Sequence, residues 1–280
     1  MTEKDLNRND ALRGAVAYFT FLKSIGIDYV QSAPPETESL ARAPMPPREK
    51  TNPQQERSVP TKVETPQKES WVTKPSVEFP STSIKQTEQP PTNNKIEQLD
   101  TIRKEVEECE SCGLSKTRNM VVFGTGNPNA KIMFVGEAPG EEEDKQGKPF
   151  VGKAGNLLTK MIEAINLSRD EVFIANVLKC RPPDNRNPKP EEVSACDHFL
   201  IRQIKSVNPL VLCALGTHAA HTLLKSSESI GRLRGKFYDY HGVPLLPTYH
   251  PSFLLRSPSY KKLAWEDLQL LRDEAKKLAK

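Results

Sequence analysis

No apolar run in this chain reaches the roughly 20 residues that a membrane-spanning helix needs. The N-terminus is polar and acidic, not a basic and apolar leader. The expectation is a cytoplasmic, nucleoid-associated protein with no membrane partner. An excess of one charge is also missing. Lys and Arg number 40 against 36 Asp and Glu, a net charge of +4. Residues 1–95 carry 13 basic and 12 acidic side chains, and residues 96–280 carry 27 and 24. Bulk charge therefore gives no argument for nucleic acid, only room for a local basic patch. Aromatic residues are nearly absent from residues 31–94, which hold 12 of the 24 prolines among many Gln, Glu, Ser, Thr and Lys. Such a stretch cannot bury enough apolar surface to offset its ordering entropy. It reads as a disordered Pro-rich linker, leaving residues 95–280 for one compact domain. Residues 1–30 hold one short amphipathic helical pattern, residues 9–25, with Asn9 or Asp10 as N-cap. That segment is either a marginal helix or one that docks on a protein partner or on the domain.

Cysteine is sparse, at five, but four of the five sit oddly for structural thiols. Cys109 and Cys112 form a C-x2-C pair in a polar run. Cys180 ends an apolar run before Arg-Pro-Pro, and Cys196 falls inside a predicted helix. Four thiolates from three separated segments point to a soft-metal or iron–sulfur site. The spacing does not suit a short zinc finger, whose ligands arrive as two close pairs. Zinc and unlinked thiols remain the alternatives. Cys213, in Leu-Val-Leu-Cys-Ala-Leu-Gly, reads as a small buried hydrophobe.

Beyond residue 94, strand and helix patterns alternate. Residues 131–136, 171–179, 210–216 and 243–249 read as strands, and the first three are the continuous apolar runs of strands covered on both faces. Helical patterns fall at 153–166, 190–207 and 217–225, and a last one runs from after Ser259 toward Lys280. This order predicts an α/β fold, a three-layer α/β/α sandwich on a central four-stranded parallel sheet. Sites in such sheets lie beyond the carboxyl ends of the strands. Gly136 and Glu137 follow the first strand, Asn176 lies late in the second, and Tyr249 and His250 follow the last.

Four features there carry chemistry. Residues 136–144, Gly-Glu-Ala-Pro-Gly-Glu-Glu-Glu-Asp, force a tight turn that exposes backbone N–H groups. Most of its acids read as a solvated face. Phe150 sits in a Gly- and Pro-punctuated loop, where it either stacks on a ligand or packs in the core. Asn176 interrupts an apolar strand, so its amide either braces a loop or meets a ligand. His250-Pro-Ser-Phe-Leu-Leu-Arg256 places an imidazole at the end of the sheet and opens a segment with exposed-looking Phe253, Leu254 and Leu255. The alternative is a helix N-terminus packed on the core.

Taken in order and spacing, the cysteine quartet, the 136–144 turn, Lys-Pro-Phe-Val-Gly-Lys-Ala-Gly, Ala-Asn-Val-Leu-Lys-Cys-Arg-Pro-Pro and His-Pro-Ser-Phe-Leu-Leu-Arg make a joint signature. Residues 100–280 resemble the family 4 uracil-DNA glycosylases, the iron–sulfur members of that superfamily. The resemblance implies a [4Fe–4S] cluster on Cys109, Cys112, Cys180 and Cys196. It places Glu137 near a flipped base, Phe150 stacked on uracil, Asn176 on the base edge and His250 beside a uracil carbonyl. Glu143 matches an acidic residue near the base pocket. Gly136, Ala138 and Ser252 join the substrate-binding set. Relatives in other families carry a water-orienting aspartate where this chain has Ala138, which leaves the general base open.

The implied activity is hydrolysis of the N-glycosidic bond of uracil in single- or double-stranded DNA, as part of base excision repair. Uracil inside a duplex is shielded, so the nucleotide must be flipped out. Leu254 or Leu255 is the expected wedge, with Arg256 on a phosphate. A monomer is expected. The other readings are a non-catalytic Fe–S DNA-binding module and a polymerase-associated adaptor.

Overall fold

The computed structural model describes residues 92–280. The expectations for residues 1–30 and for most of 31–94 lie outside it, and its first helix, α1 (Thr92–Glu107), begins just before the expected domain start. Four strands follow the sequence pattern: β2 (Ile132–Gly136), β3 (Phe173–Asn176), β4 (Val211–Leu215) and β6 (Val243–Thr248). They pair in parallel in the order β3-β2-β4-β6. Every residue of β2, β3 and β4 is buried, which is why they read as unbroken apolar runs.

The sheet has six strands, two more than expected. Short edge strands β1 (Thr125–Gly126) and β5 (Tyr238–Tyr240) pair antiparallel to β3 and β6. Two or three half-exposed residues carry no alternation to read, so neither left a signal in the sequence.

Side chains leave the sheet alternately. Met133, Val135, Phe173, Ala175, Leu212 and Ala214 pack into one apolar cluster with α1, α4 (Pro190–Val207) and α5 (Thr217–Leu224). Ile132, Phe134, Ile174, Val211, Cys213 and Leu215 pack on the other face with α3 (Lys153–Ala164) and α8 (Lys261–Leu278). The result is the three-layer sandwich. Short helices α2 (Glu141–Gln146), α6 (Ile230–Leu233) and α7 (Pro251–Arg256), with 3-10 turns at Gly113–Lys116, Pro183–Asn185 and Pro258–Tyr260, complete the described elements. None of the described helices is long and apolar enough to cross a membrane.

Asp267 on α8 is fully buried. It accepts hydrogen bonds from Arg234 (2.6 and 2.9 Å) and from the hydroxyl of Thr248 (2.6 Å). This buried pair fixes the end of β6, immediately ahead of Tyr249 and His250.

Candidate active site

The carboxyl ends of β2, β3 and β6 open onto one cavity of ≈ 260 Å³. Its floor comes from a register pair, Gly136 on β2 and Asn176 on β3. A Cβ added at Gly136 would stand 2.4 Å from Asn176 Oδ1 and 2.6 Å from the Phe150 ring. Only glycine leaves both groups where they are. Asn176 is 1% exposed, and its Oδ1 is buried with no hydrogen-bond partner. Orphaned buried acceptors are rare in native proteins, because each costs about 1–3 kcal/mol. Asn176 lines the cavity.

Phe150 closes one side. Its φ of 54° is a left-handed conformation that bulky residues avoid. The surroundings impose it. Arg169 donates to the carbonyls of Pro149 (2.9 Å) and Phe150 (3.2 Å). Gly155, at the start of α3, lies so near that a Cβ there would meet Phe150 O at 1.9 Å.

Two carboxylates line the cavity, and they differ. Glu143 accepts from the N–H groups of Val151 (2.8 Å), Gly152 (3.0 Å) and Gly140 (3.1 Å). It staples the Phe150 loop to the turn after β2. The Glu137 carboxylate takes no hydrogen bond from the described residues. Burial raises its pKa, opposed by the nearby His218. Asp144, a residue that sequence reasoning left among the solvated acids, is buried. It accepts from the main chain and side chain of Asn119 (3.0 and 2.6 Å).

His250 is the N-cap of α7. Its Nδ1 accepts from Ser252 N–H (3.2 Å) and lies 2.7 Å from Ser252 Oγ. An accepting Nδ1 leaves the ring proton on Nε2. Burial first, and then the charge of Arg256, lower the imidazole pKa to about 4, with Glu143 pulling the other way. His250 is therefore neutral at physiological pH, and its ring centroid lies 5.7 Å from that of Phe150.

The structure thus gathers Glu137, Ala138, Glu143, Phe150, Asn176, His250 and Ser252 around one cavity, with Gly136 beneath. The sequence reading missed Pro182, Asn185 and Arg186, which form the rim. The Arg-Pro-Pro-Asp-Asn-Arg run after Cys180 held that signal. Its Pro and Asn cluster marks a turn, and Asp184 and Asn185 take left-handed φ values there. One expectation needs correction. Leu254 is not exposed: α7 turns it into the core, at 0% exposure, against the α3 and α8 layer. Leu255, one residue on, is 43% exposed. A helix in place of a loop separates the two.

Cys180 and Cys196 belong to the apolar cluster packed with α1, α4 and α5, Cys109 and Cys112 pack against it, and none is in a disulfide. Arg118 Nη1 lies 3.3 Å from Cys180 Sγ. Burial raises the Cys180 thiol and lifts Cys196 to about 11. Among the described residues, no three or more His, Cys, Asp or Glu side chains are gathered closely enough for a single metal ion. Cys213 lies apart, fully buried among the α3 and α8 contacts.

Residues 123–269 match the model of the uracil DNA glycosylase superfamily. The chain is 48% identical over 187 residues to the Type-4 uracil-DNA glycosylase of Saccharolobus solfataricus, covering 64% of this chain and 87% of that protein. It is 44% identical over 189 residues to that of Sulfurisphaera tokodaii, covering 64% and 86%. The Type-4 uracil-DNA glycosylase of Thermotoga maritima is 44% identical over 185 residues, covering 65% and 96%.

Proposed function

The chain belongs to the uracil-DNA glycosylase superfamily, in its type-4 branch, and on that premise we propose how its cavity works. It takes a uracil turned out of DNA, hydrolyses the N-glycosidic bond, releases free uracil and leaves an abasic site. The observation that carries this reading is the orphaned Oδ1 of Asn176. Uracil N3–H is a donor that completes it, while the amide N–H₂ donates to O4. Cytosine presents the opposite polarity at both positions, so two buried groups would stay unpaired. That mismatch costs on the order of 1–3 kcal/mol per contact pair. Phe150, locked by Arg169 and Gly155, supplies a preset face for the base.

In the chemical step the C1′–N1 bond breaks, and its electron pair stays on the uracil ring. His250 meets this developing charge with the Nε2–H of a neutral imidazole, the better state for a fixed donor that must not compete for the proton. Water bonds to C1′ and gives up a proton. With Ala138 where other families place an aspartate, Glu137 is the carboxylate left to take it. Glu143 is committed to three N–H groups, whereas burial already raises the Glu137 pKa.

The four cysteines suit a [4Fe–4S] cluster. The four are contributed by three segments, and all pack in or against one apolar cluster. Bound there, the cluster supplies a cross-link between the segment after α1, the rim turn and α4. Burial raises the Cys180 and Cys196 thiols, so loading releases protons there. The exposed Leu255 is the wedge for the gap left in the base stack, and Arg256 holds a phosphate beside it. DNA is the partner, and base excision repair in the cytoplasm is the setting.

The test is excision from uracil-containing DNA. Wild type should release free uracil. Asn176→Ala should slow single-turnover excision by orders of magnitude while affinity for uracil-free DNA holds. A purified, iron-loaded protein that releases no uracil would leave the non-catalytic Fe–S DNA-binding and polymerase-adaptor readings standing.

A further inference from the structure

Lys179 is a buried cation without a carboxylate. It is 1% exposed, and no ion pair among the described residues includes it. Lysine is almost never fully buried unless something holds its charge. Two neutral oxygens hold its Nζ: the main-chain carbonyl of Asn176 at 2.7 Å and Gln203 Oε1 at 2.6 Å. Gln203, itself fully buried on α4, is anchored in turn by its Nε2 donating to Phe123 O at 2.9 Å. On its other side Lys179 is followed directly by Cys180.

Asn176 is the last residue of β3, where the parallel ladder stops. Past that point Val177 N–H still bonds Gly136 O at 2.9 Å. The Asn176 carbonyl is fixed by the ammonium instead. Its orientation sets the peptide plane that carries the carboxamide against Gly136. A rotation there would swing the orphaned Oδ1 off its place against Gly136.

We propose that Lys179 is the positioning residue of Asn176, holding the base-reading residue from the chain position directly before Cys180. The inference rests on the uracil-binding reading of the cavity. The link is geometric: the ammonium bridges the Asn176 carbonyl and Gln203, and Gln203 is held in turn by the Phe123 carbonyl.

The experiment uses the full chain, with free uracil as a competitive probe. Inhibition by uracil, single-turnover excision, affinity for uracil-free DNA, melting temperature and iron per protein are measured for wild type, Lys179→Met and Gln203→Met. For Lys179→Met, uracil inhibition should weaken about tenfold or more and excision should slow by a similar factor, as expected for losing a hydrogen bond to a charged group. Affinity for uracil-free DNA should stay within about twofold. Gln203→Met removes only the outer anchor and should weaken uracil inhibition about three- to tenfold at full iron content. It keeps the test alive if Lys179→Met does not fold. Unchanged uracil inhibition in an iron-loaded variant overturns the proposal. So does a loss that scales only with missing iron, because Lys179 would then serve the cysteine site alone. Wild-type protein that neither excises nor binds uracil would instead defeat the reading of the cavity.

Discussion

Gly136 and Asn176 face each other across β2 and β3 with no room for another atom. A methyl group at residue 136 would stand 2.4 Å from the Asn176 carboxamide oxygen. Gly136→Ala should therefore push the amide or the Phe150 ring off its place. Misplacement of about 1 Å can cost ~100-fold in rate. Single-turnover excision should fall by about that factor, with a melting temperature close to wild type. A rate within a few-fold of wild type would mean that the carboxamide does not read the base.

The buried, neutral His250 makes a second prediction, about pH. Its folded pKa of about 4 lies below the ordinary 6.5. The unfolded chain therefore binds a proton that the folded chain refuses. Stability should fall as pH drops through the window from about 6.5 to about 4. This group alone accounts for about 2 kcal/mol between pH 7 and pH 5. His250→Gln should remove that part of the acid dependence in denaturant unfolding. Identical pH slopes for the two proteins would show that the imidazole is not held neutral. The same variant should lower the chemical rate, because it loses the donor set on Nε2.

Leu254 and Leu255 should separate cleanly. Leu254 is core, so Leu254→Ala should cost about 2–5 kcal/mol of stability. Leu255→Ala should leave stability nearly unchanged and slow excision. The slowing should be greatest on duplex U·A, smaller on U·G and least on single strands, because the wobble pair opens more easily and a single strand needs no opening. Equal slowing on all three substrates would place the wedge elsewhere.

The cysteines divide four against one. Protein purified without oxygen should be brown and hold about four irons. Cys109→Ser or Cys196→Ser should lose iron and solubility together. Cys213→Ser should keep its iron, since that thiol packs among the α3 and α8 contacts. Stoichiometric zinc without iron in the native protein would defeat the cluster.

Truncation tests the N-terminal boundary. Helix α1 contributes Leu99, Ile102 and Val106 to the core, and Lys95 Nζ donates to Val207 O at 3.0 Å. A fragment starting at Pro91 should fold, load iron and excise uracil. One starting at Glu108 should not fold, because it strips that face of the core bare. Failure of the Pro91 fragment to fold would show that the domain needs residues ahead of 91.

The layered fold was legible because its evidence is local. Three strands buried on both faces leave continuous apolar runs, and the helices between them keep a 3.6-residue period. The positions of Gly136, Asn176 and His250 followed from the rule that α/β sites open at the strands' carboxyl ends. The edge strands Thr125–Gly126 and Tyr238–Tyr240 were not legible, because so few residues hold no period.

What tertiary structure alone decided is where each side chain of a motif points. Leu254 and Leu255 look alike in sequence, and only the turn of α7 buries one and exposes the other. Glu143 reads as one acid among five, and only the fold brings three N–H groups to it. Lys179 reads only as the last residue of the 171–179 run, with no role of its own. It became a buried brace because Gln203 on α4, anchored by Phe123 from far back in the chain, meets its ammonium beside Asn176. Local pattern sets the elements, while burial and hydrogen bonding between distant segments set the site.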